Sequence, residues 1–231
     1  TELAAQRYFL GINDVSAKVD FDFLPTPNHF IKAGAGVTWH QYSPGAFQSK
    51  VNTASYNIDT LLKRSFLRSH EYDAYAEDDI KISDKLKINA GLHFSAFLIQ
   101  GKNYSSLQPR LSARYLLKQD MSIKASYVQM TQFIHLLTNS GVGLPTDLWV
   151  PATSIVPPQY CRQVALGWAW NYKNDYELSV ETYYKTMRNV IEYSEGASFL
   201  NTFDGWEGMV ESGKGESYGA EFFVQKKKGK T

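Results

Sequence analysis

One cysteine in 231 residues, Cys161, has no partner for an internal disulfide, so no disulfide framework organises this chain. No stretch approaches the roughly twenty apolar residues of a membrane helix, which excludes helical spans. Neither sign of charge is in excess. The 24 lysines and arginines stand against 23 aspartates and glutamates, which gives no electrostatic case for a nucleic-acid partner. His29, His40, His70, His93 and His135 lack any His-x-x-x-His spacing, so no zinc site is expected. Gly34 and Gly36 are not followed by a helix carrying Lys-Ser/Thr, so they are no phosphate loop. Ser95 and His93 share a strand face, but no orienting carboxylate follows them. The expectation is therefore no catalytic residue, no metal and no cofactor. The chain starts at Thr1 with neither methionine nor a leader, which for an exported protein implies a mature form or an excised piece.

What is present is alternation. Leu86, Ile88, Ala90, Leu92, Phe94, Ala96 and Leu98 occupy the even positions of one segment, with Lys87, Asn89, Gly91, His93 and Ser95 between them. A period of two puts these sets on opposite faces of a pleated strand. The same split separates Val15, Ala17, Val19, Phe21 and Phe23 from Asp14, Ser16, Lys18, Asp20 and Asp22. It also separates Tyr176, Leu178, Val180 and Tyr184 from Glu177, Ser179, Glu181 and Lys185. Strands are read near 12–24, 29–42, 68–82, 86–98, 107–117, 121–131, 160–172, 176–188 and 214–226.

A soluble antiparallel sandwich also has one apolar and one polar face. Its strands usually run about 5–6 residues, whereas these alternate for about ten, the length of a tilted membrane strand. Connections give a second argument. Pro25–Asn28, Ser83–Lys85, Lys118–Asp120 and Lys173–Asp175 are tight, whereas 43–67, 132–159 and 189–213 are wide, with a shorter excursion near 99–106. Successive antiparallel strands send alternate connections to opposite ends, so this rhythm predicts short periplasmic turns and long external loops. The expected fold is all-β, an antiparallel up-and-down transmembrane barrel segment. Tyr176 and Tyr184 bracket one apolar stripe as interfacial aromatics would. Nine strands is an odd number, and Lys226–Lys230 looks like another turn. Residues 1–231 are therefore expected to be part of a larger barrel.

Particular blocks then carry a resemblance. Tyr75-Ala76-Glu77-Asp78-Asp79-Ile80 leads through Ser83-Asp84-Lys85 to Asn89-Ala90-Gly91-Leu92. With Gln108–Ser112, Ser122–Tyr127 and Ser217–Glu221 following in order, residues 12 to 231 resemble the barrel of TonB-dependent outer-membrane receptors. Ile80 stands where that family often has tryptophan, and His93 where it has arginine. Gln132–Asn139 resembles the Bacteroidetes branch that includes SusC-like nutrient receptors. The resemblance implies a Gram-negative outer membrane and capture of an iron chelate, cobalamin, glycan or peptide for TonB-energised uptake. It implies membrane lipid, the nutrient and a surface lipoprotein as partners. TonB itself would act through a plug domain that is not found here, and no closing aromatic strand is found either. A passive porin-like or adhesin-type barrel is the alternative, and an upstream plug would separate the two.

Recognition is expected in the long loops, because loops on a rigid scaffold carry it disproportionately. Phe133–Leu137 reads as a short helical turn over the mouth, broken at Asn139–Gly143. Pro145, Pro151, Pro157 and Pro158 stiffen the remainder of the loop. His135, Asp147, Trp149 and Trp206 are the expected ligand contacts, with Asp204 a weaker neighbour of Trp206. An indole offers a flat apolar face for stacking, and an aspartate accepts hydrogen bonds. Leu136, Leu137 and Leu148 are expected only to pack the loop. Glu77 and Asp79 converge on one strand face and read as a polar pair near a periplasmic turn, not as a calcium loop.

Overall fold

The computed structural model describes residues 3–52, 57–62, 66–138, 147–173, 175–195 and 206–227. Asn139–Gly143, Pro145, Asn174, Asp204 and Lys228–Lys230 lie outside the described residues. Twelve strands occur among those described: β1 (Leu3–Thr26), β2 (His29–Asn52), β3 (Asn57–Leu62), β4 (Leu67–Lys81), β5 (Leu86–Ile99), β6 (Lys102–Lys118), β7 (Met121–Gln132), β8 (Ile134–Leu137), β9 (Leu148–Pro151), β10 (Gln159–Tyr172), β11 (Tyr176–Tyr193) and β12 (Val210–Lys226). A 3-10 turn, η1 (Trp206–Met209), precedes β12. The main sheet is antiparallel and runs β1-β2-β4-β5-β6-β7-β10-β11-β12, with β3 beside the upper part of β2 and β8–β9 as a separate hairpin.

The nine strands read from alternation are all present, and most are longer than their apolar stripes. β1 and β2 each have 24 residues. At about 3.3 Å per residue such a strand greatly exceeds a bilayer's hydrocarbon, so its upper part stands clear of the membrane. The excursion expected near 99–106 is absent. Gln100 and Gly101 form a two-residue turn with φ of 43° and 77°, and Ile99 pairs directly with Lys102. Two successive left-handed residues are what a tight hairpin turn needs, and Gly101 supplies one without strain. Lys102 and Asn103 look loop-like only because they are polar.

Sidedness follows from backbone hydrogen bonds between neighbouring turns. Lys81 N donates to Asn28 O at 2.8 Å, Leu116 N to Lys85 O at 2.8 Å, Asn171 N to Asp120 O at 2.8 Å and Lys227 N to Asp175 O at 2.7 Å. The four short turns therefore line one rim, the one expected to face the periplasm. At this rim Lys81 Nζ pairs with Asp84 at 2.7 Å and holds its carboxyl below the usual carboxylate range.

The faces decide between sandwich and membrane wall. The apolar set is the exposed one: Val15 is 66% exposed, Leu166 56%, Phe222 76% and Tyr218 79%. The opposite set, where Ser95, Gln108 and Ser122 are buried, faces the concave side. A soluble sandwich would bury the first set. Polar inside and apolar outside is the arrangement of a lipid-facing wall around a wet lumen. Aromatics thicken this outer face near the short turns. Trp170 packs edge-on to Tyr172 with centroids 4.7 Å apart, and its Nε1 donates to Asp120 Oδ2 at 2.9 Å.

Candidate functional site at the mouth and lumen

The lumen wall is built by register. Asp14 lies opposite His40, Asp20 opposite Gly34, Gly36 opposite Asp73 and Gly34 opposite Tyr75. The inward charges fall into sectors. β1, β2 and β4 present mainly Asp14, Asp20, Asp22, Glu71, Asp73, Glu77 and Asp79, with Lys18 and Lys32 among them. β5 to β7 present Lys87, Arg110, Arg114 and Lys124, and β10 to β12 return to Glu177, Glu181 and Glu221, with Lys185. A groove of about 360 Å³ crosses the basic sector, lined by Asp79, Lys87, Asn89, Ser112, Arg114, Lys124, Ser126 and Glu181. Glu77 and Asp79 share the lumen face near the short turns, and Asn89 Nδ2 donates to Asp79 Oδ1 at 2.8 Å.

A hairpin crosses the mouth from within. β8 and β9 pair as a hairpin; β9 touches β1 and β2, and β8 touches β11. Those partners lie near opposite ends of the sheet order, so the hairpin spans the concavity as a chord. The helical turn expected over Phe133–Leu137 is instead strand. Four residues are too few to offset helix nucleation, whereas pairing with Leu148–Pro151 satisfies their backbone at once. Leu137, Leu148, Val150, Val156, Ile191 and Trp206 form one buried cluster under it. Phe97, Ile99, Phe133 and Ala152 form a second, in which the Phe97 and Phe133 rings stack at 5.0 Å and 3°.

Polar ties join the wall strands to one another at this level, and two more hold the loop to the wall. His40 is buried, with Nδ1 2.8 Å from Asp14 Oδ1 and Nε2 3.4 Å from Glu71 Oε2, the latter in reach of charge attraction but not aligned as a hydrogen bond. Gln108 Nε2 donates to Ser95 Oγ at 2.7 Å and its Oε1 accepts from Thr131 N at 3.2 Å. Tyr104 Oη donates to the Thr153 carbonyl at 2.5 Å. Asn189, left-handed at φ 58° in the bulge between Arg188 and Val190, donates its amide to Pro158 O at 2.8 Å. Asparagine tolerates that conformation better than most residues.

The four expected contact residues separate by face. Asp147 and Trp149 lie with Leu136 on the open face of the hairpin, where Trp149 is 42% exposed. His135 and Trp206 are packed below, at 0% and 8% exposure. Neither ring nitrogen of His135 has a hydrogen-bond partner among the described residues. Burial pushes its pKa down to about 4, so it is neutral near pH 7. Leu137 and Leu148 pack as expected, whereas Leu136 is exposed beside Trp149. Two features escaped the sequence reading: the His40–Asp14–Glu71 cluster and the basic lumen sector. Alternation announces an inward set on each strand, but which members meet depends on register. Cys161 is a free, half-buried thiol.

An apolar belt outside, a charged lumen inside and a loop folded into the mouth define an outer-membrane barrel of the receptor type. The family model for the TonB dependent receptor-like β-barrel matches residues 3–226, and the chain belongs to this family. Its place is the Gram-negative outer membrane. The family model names no branch, and the SusC-like likeness stays a reading of Gln132–Asn139. No curated protein matches the chain. Among solved structures it is similar to the FrpB iron transporter from Neisseria meningitidis (F3-3 variant), with a TM-score of 0.63, 14% identity, and 94% of this chain and 33% of that one covered. It is similar to the copper transporter OprC at a TM-score of 0.67 and 11% identity, over 97% of this chain and 36% of that one. Pyoverdine-bound FpvA of P. aeruginosa gives 0.57 and 12%, over 96% and 31%. The chain thus spans about a third of the length of these structures.

Proposed function

We propose that this chain is the wall and mouth of a receptor that captures a nutrient outside the cell for TonB-energised uptake. One observation carries the reading: the β8–β9 hairpin lies across the concavity, anchored on β1, β2 and β11. A passive porin needs an open channel, whereas a receptor needs an ordered surface at the mouth and a route that opens only on demand. Energy coupling would come from a plug domain elsewhere in the parent protein, and residues 1–231 would be one part of its barrel. The neighbours named as iron, copper and pyoverdine proteins favour a metal or its chelate over a glycan or peptide. The alternating acidic and basic lumen sectors suit a polar cargo.

Asp147 and Trp149 are the proposed contacts, the indole stacking on a flat ligand and the carboxylate accepting its donors. His135 and Trp206 hold the hairpin in position beneath them. In the full-length receptor, Trp149→Ala with Asp147→Ala should weaken binding of the transported chelate at least about tenfold, because a lost stack and a lost hydrogen bond to a charged group together exceed the ~1.4 kcal/mol of a tenfold change. Thermal unfolding in detergent should not change. Unaltered uptake would assign both residues to loop packing and move the contact to the lumen groove.

A further inference from the structure

The outward face of β7, β10, β11 and β12 changes character at its upper end. Register places Tyr127, Val164, Tyr184 and Tyr218 in one row across these strands. Tyrosines at the top of an apolar stripe mark the level where hydrocarbon gives way to headgroups. The next outward row carries Gln129, Arg162 and Thr186, and the row above it Tyr160 and Arg188, with Lys214 opposite Arg188. Gln129, Tyr160, Arg162, Thr186 and Arg188 line a depression of about 270 Å³. Both arginines are exposed, and neither forms an ion pair among the described residues. Glu216, across from Thr186, is engaged by the Tyr184 hydroxyl. On the other side of the sheet the corresponding outward ends show Trp39, His70 and Leu98 in register, with Arg68 exposed in the row above, opposite Gln41, and no second arginine beside it among these pairs.

We propose that Arg162 and Arg188 form a binding site for the phosphate of an anionic lipid headgroup in the external leaflet. A guanidinium presents a planar fork matched to phosphate oxygens, and two of them over one depression suit a single phosphate. Gln129, Thr186 and Tyr160 add neutral donors around it. The site continues the lipid-facing belt directly, so a lipid held by its chains on Val164 and Leu166 brings its headgroup to the arginines with little loss of freedom. A free anion has no such tether. Because the site faces the bilayer and not the lumen, it is separate from nutrient capture.

The test uses the full-length receptor in neutral detergent, titrated with short-chain phosphatidic acid, with diacylglycerol of the same chains and with inorganic phosphate, read by native mass spectrometry. The wild-type receptor should bind phosphatidic acid about tenfold more tightly than diacylglycerol, since hydrogen bonds to charged groups are the strong ones. Arg162→Gln with Arg188→Gln should abolish that preference, and Arg162→Lys with Arg188→Lys should keep part of it. Heat-modifiability on gels checks that the variants are folded, and the wild-type lipid comparison stands without them. Equal binding of the two lipids by wild type overturns the proposal, as does undiminished preference in the folded glutamine variant. Inorganic phosphate displacing phosphatidic acid at equal concentration also overturns it, assigning the pocket to a free anion.

Discussion

A methyl group on Gly34 would lie 2.5 Å from Cε1 of Tyr75, 2.5 Å from Asp20 Oδ1 and 2.9 Å from the Val19 carbonyl. The bare backbone there lets the Tyr75 ring lie across β2, where its hydroxyl donates to Asp20 Oδ1 at 2.6 Å. A ring covering a cross-strand glycine restores the contacts that glycine cannot make. Gly34→Ala should cost about 1–3 kcal/mol, the usual range for overpacking, because both neighbours and a backbone oxygen must move. Gly11→Ala is the control, since a methyl there meets nothing within 4 Å. The comparison is of unfolding temperatures in detergent, and equal values for the two variants would show that Tyr75 swings away freely. Sequence alone showed Gly34 as an unremarkable small residue on an alternating strand. Its partner across the sheet became visible only with the register.

At the scale of the element, the β8–β9 hairpin owes its place to Leu137, Leu148 and Val150 below and to Phe133 stacked on Phe97 beside it. His135 shares the buried face, so docking favours the neutral ring. The sign follows from its lowered pKa. Undocked, the ring takes up a proton as pH falls through about 6.5; docked, it does so only near 4. Docking is therefore fully stable above about 6.5 and weakens as pH drops toward 4, by roughly 3 kcal/mol across that window. Amide exchange of β8 and β9 should accelerate over this range in wild type, and His135→Leu should remove that component. Identical pH dependence in the two proteins would place the responsible proton on another group. The loop's leucines and prolines marked it as ordered in advance. Its strand character was not legible, because four alternating residues specify nothing until a partner strand faces them.

For the whole molecule, the consequential fact is that the apolar face is the outer one. Leu166 is 56% exposed midway along β10, flanked in register by Ala125 and Thr182. In water, Leu166→Arg at such an exposed site would be almost neutral. Facing hydrocarbon, it should cost about 2–4 kcal/mol, the usual penalty for a cation near the midplane of a barrel's lipid face. Folding into lipid vesicles under urea measures the difference, with Ser126→Arg on the lumen face as the comparison. A neutral Leu166→Arg would remove lipid from the outer face and return the sandwich to consideration.

Period-two alternation over about ten residues fixed the strands, their two faces and the up-and-down order, because side-chain direction in a strand is set locally. Tight turns at Pro25–Asn28 and Ser83–Lys85 fixed which ends lie together, since a short connection leaves no other geometry. Which inward residues meet was decided by the fold. A direct hairpin from Thr26↔His29 would continue to Asp14 opposite Gln41, turning Trp39 inward and His40 toward lipid. The irregularity between Phe23 and Thr26 shifts the register by one, so Asp14 meets His40. One inserted residue reverses every face beyond it, and nothing local in Leu24-Pro25 states which strand absorbs the extra residue. The mouth was decided in the same way. Asp147 and Trp149 became an open face, and His135 and Trp206 its support, only when strands far apart in sequence curved to receive the hairpin between them.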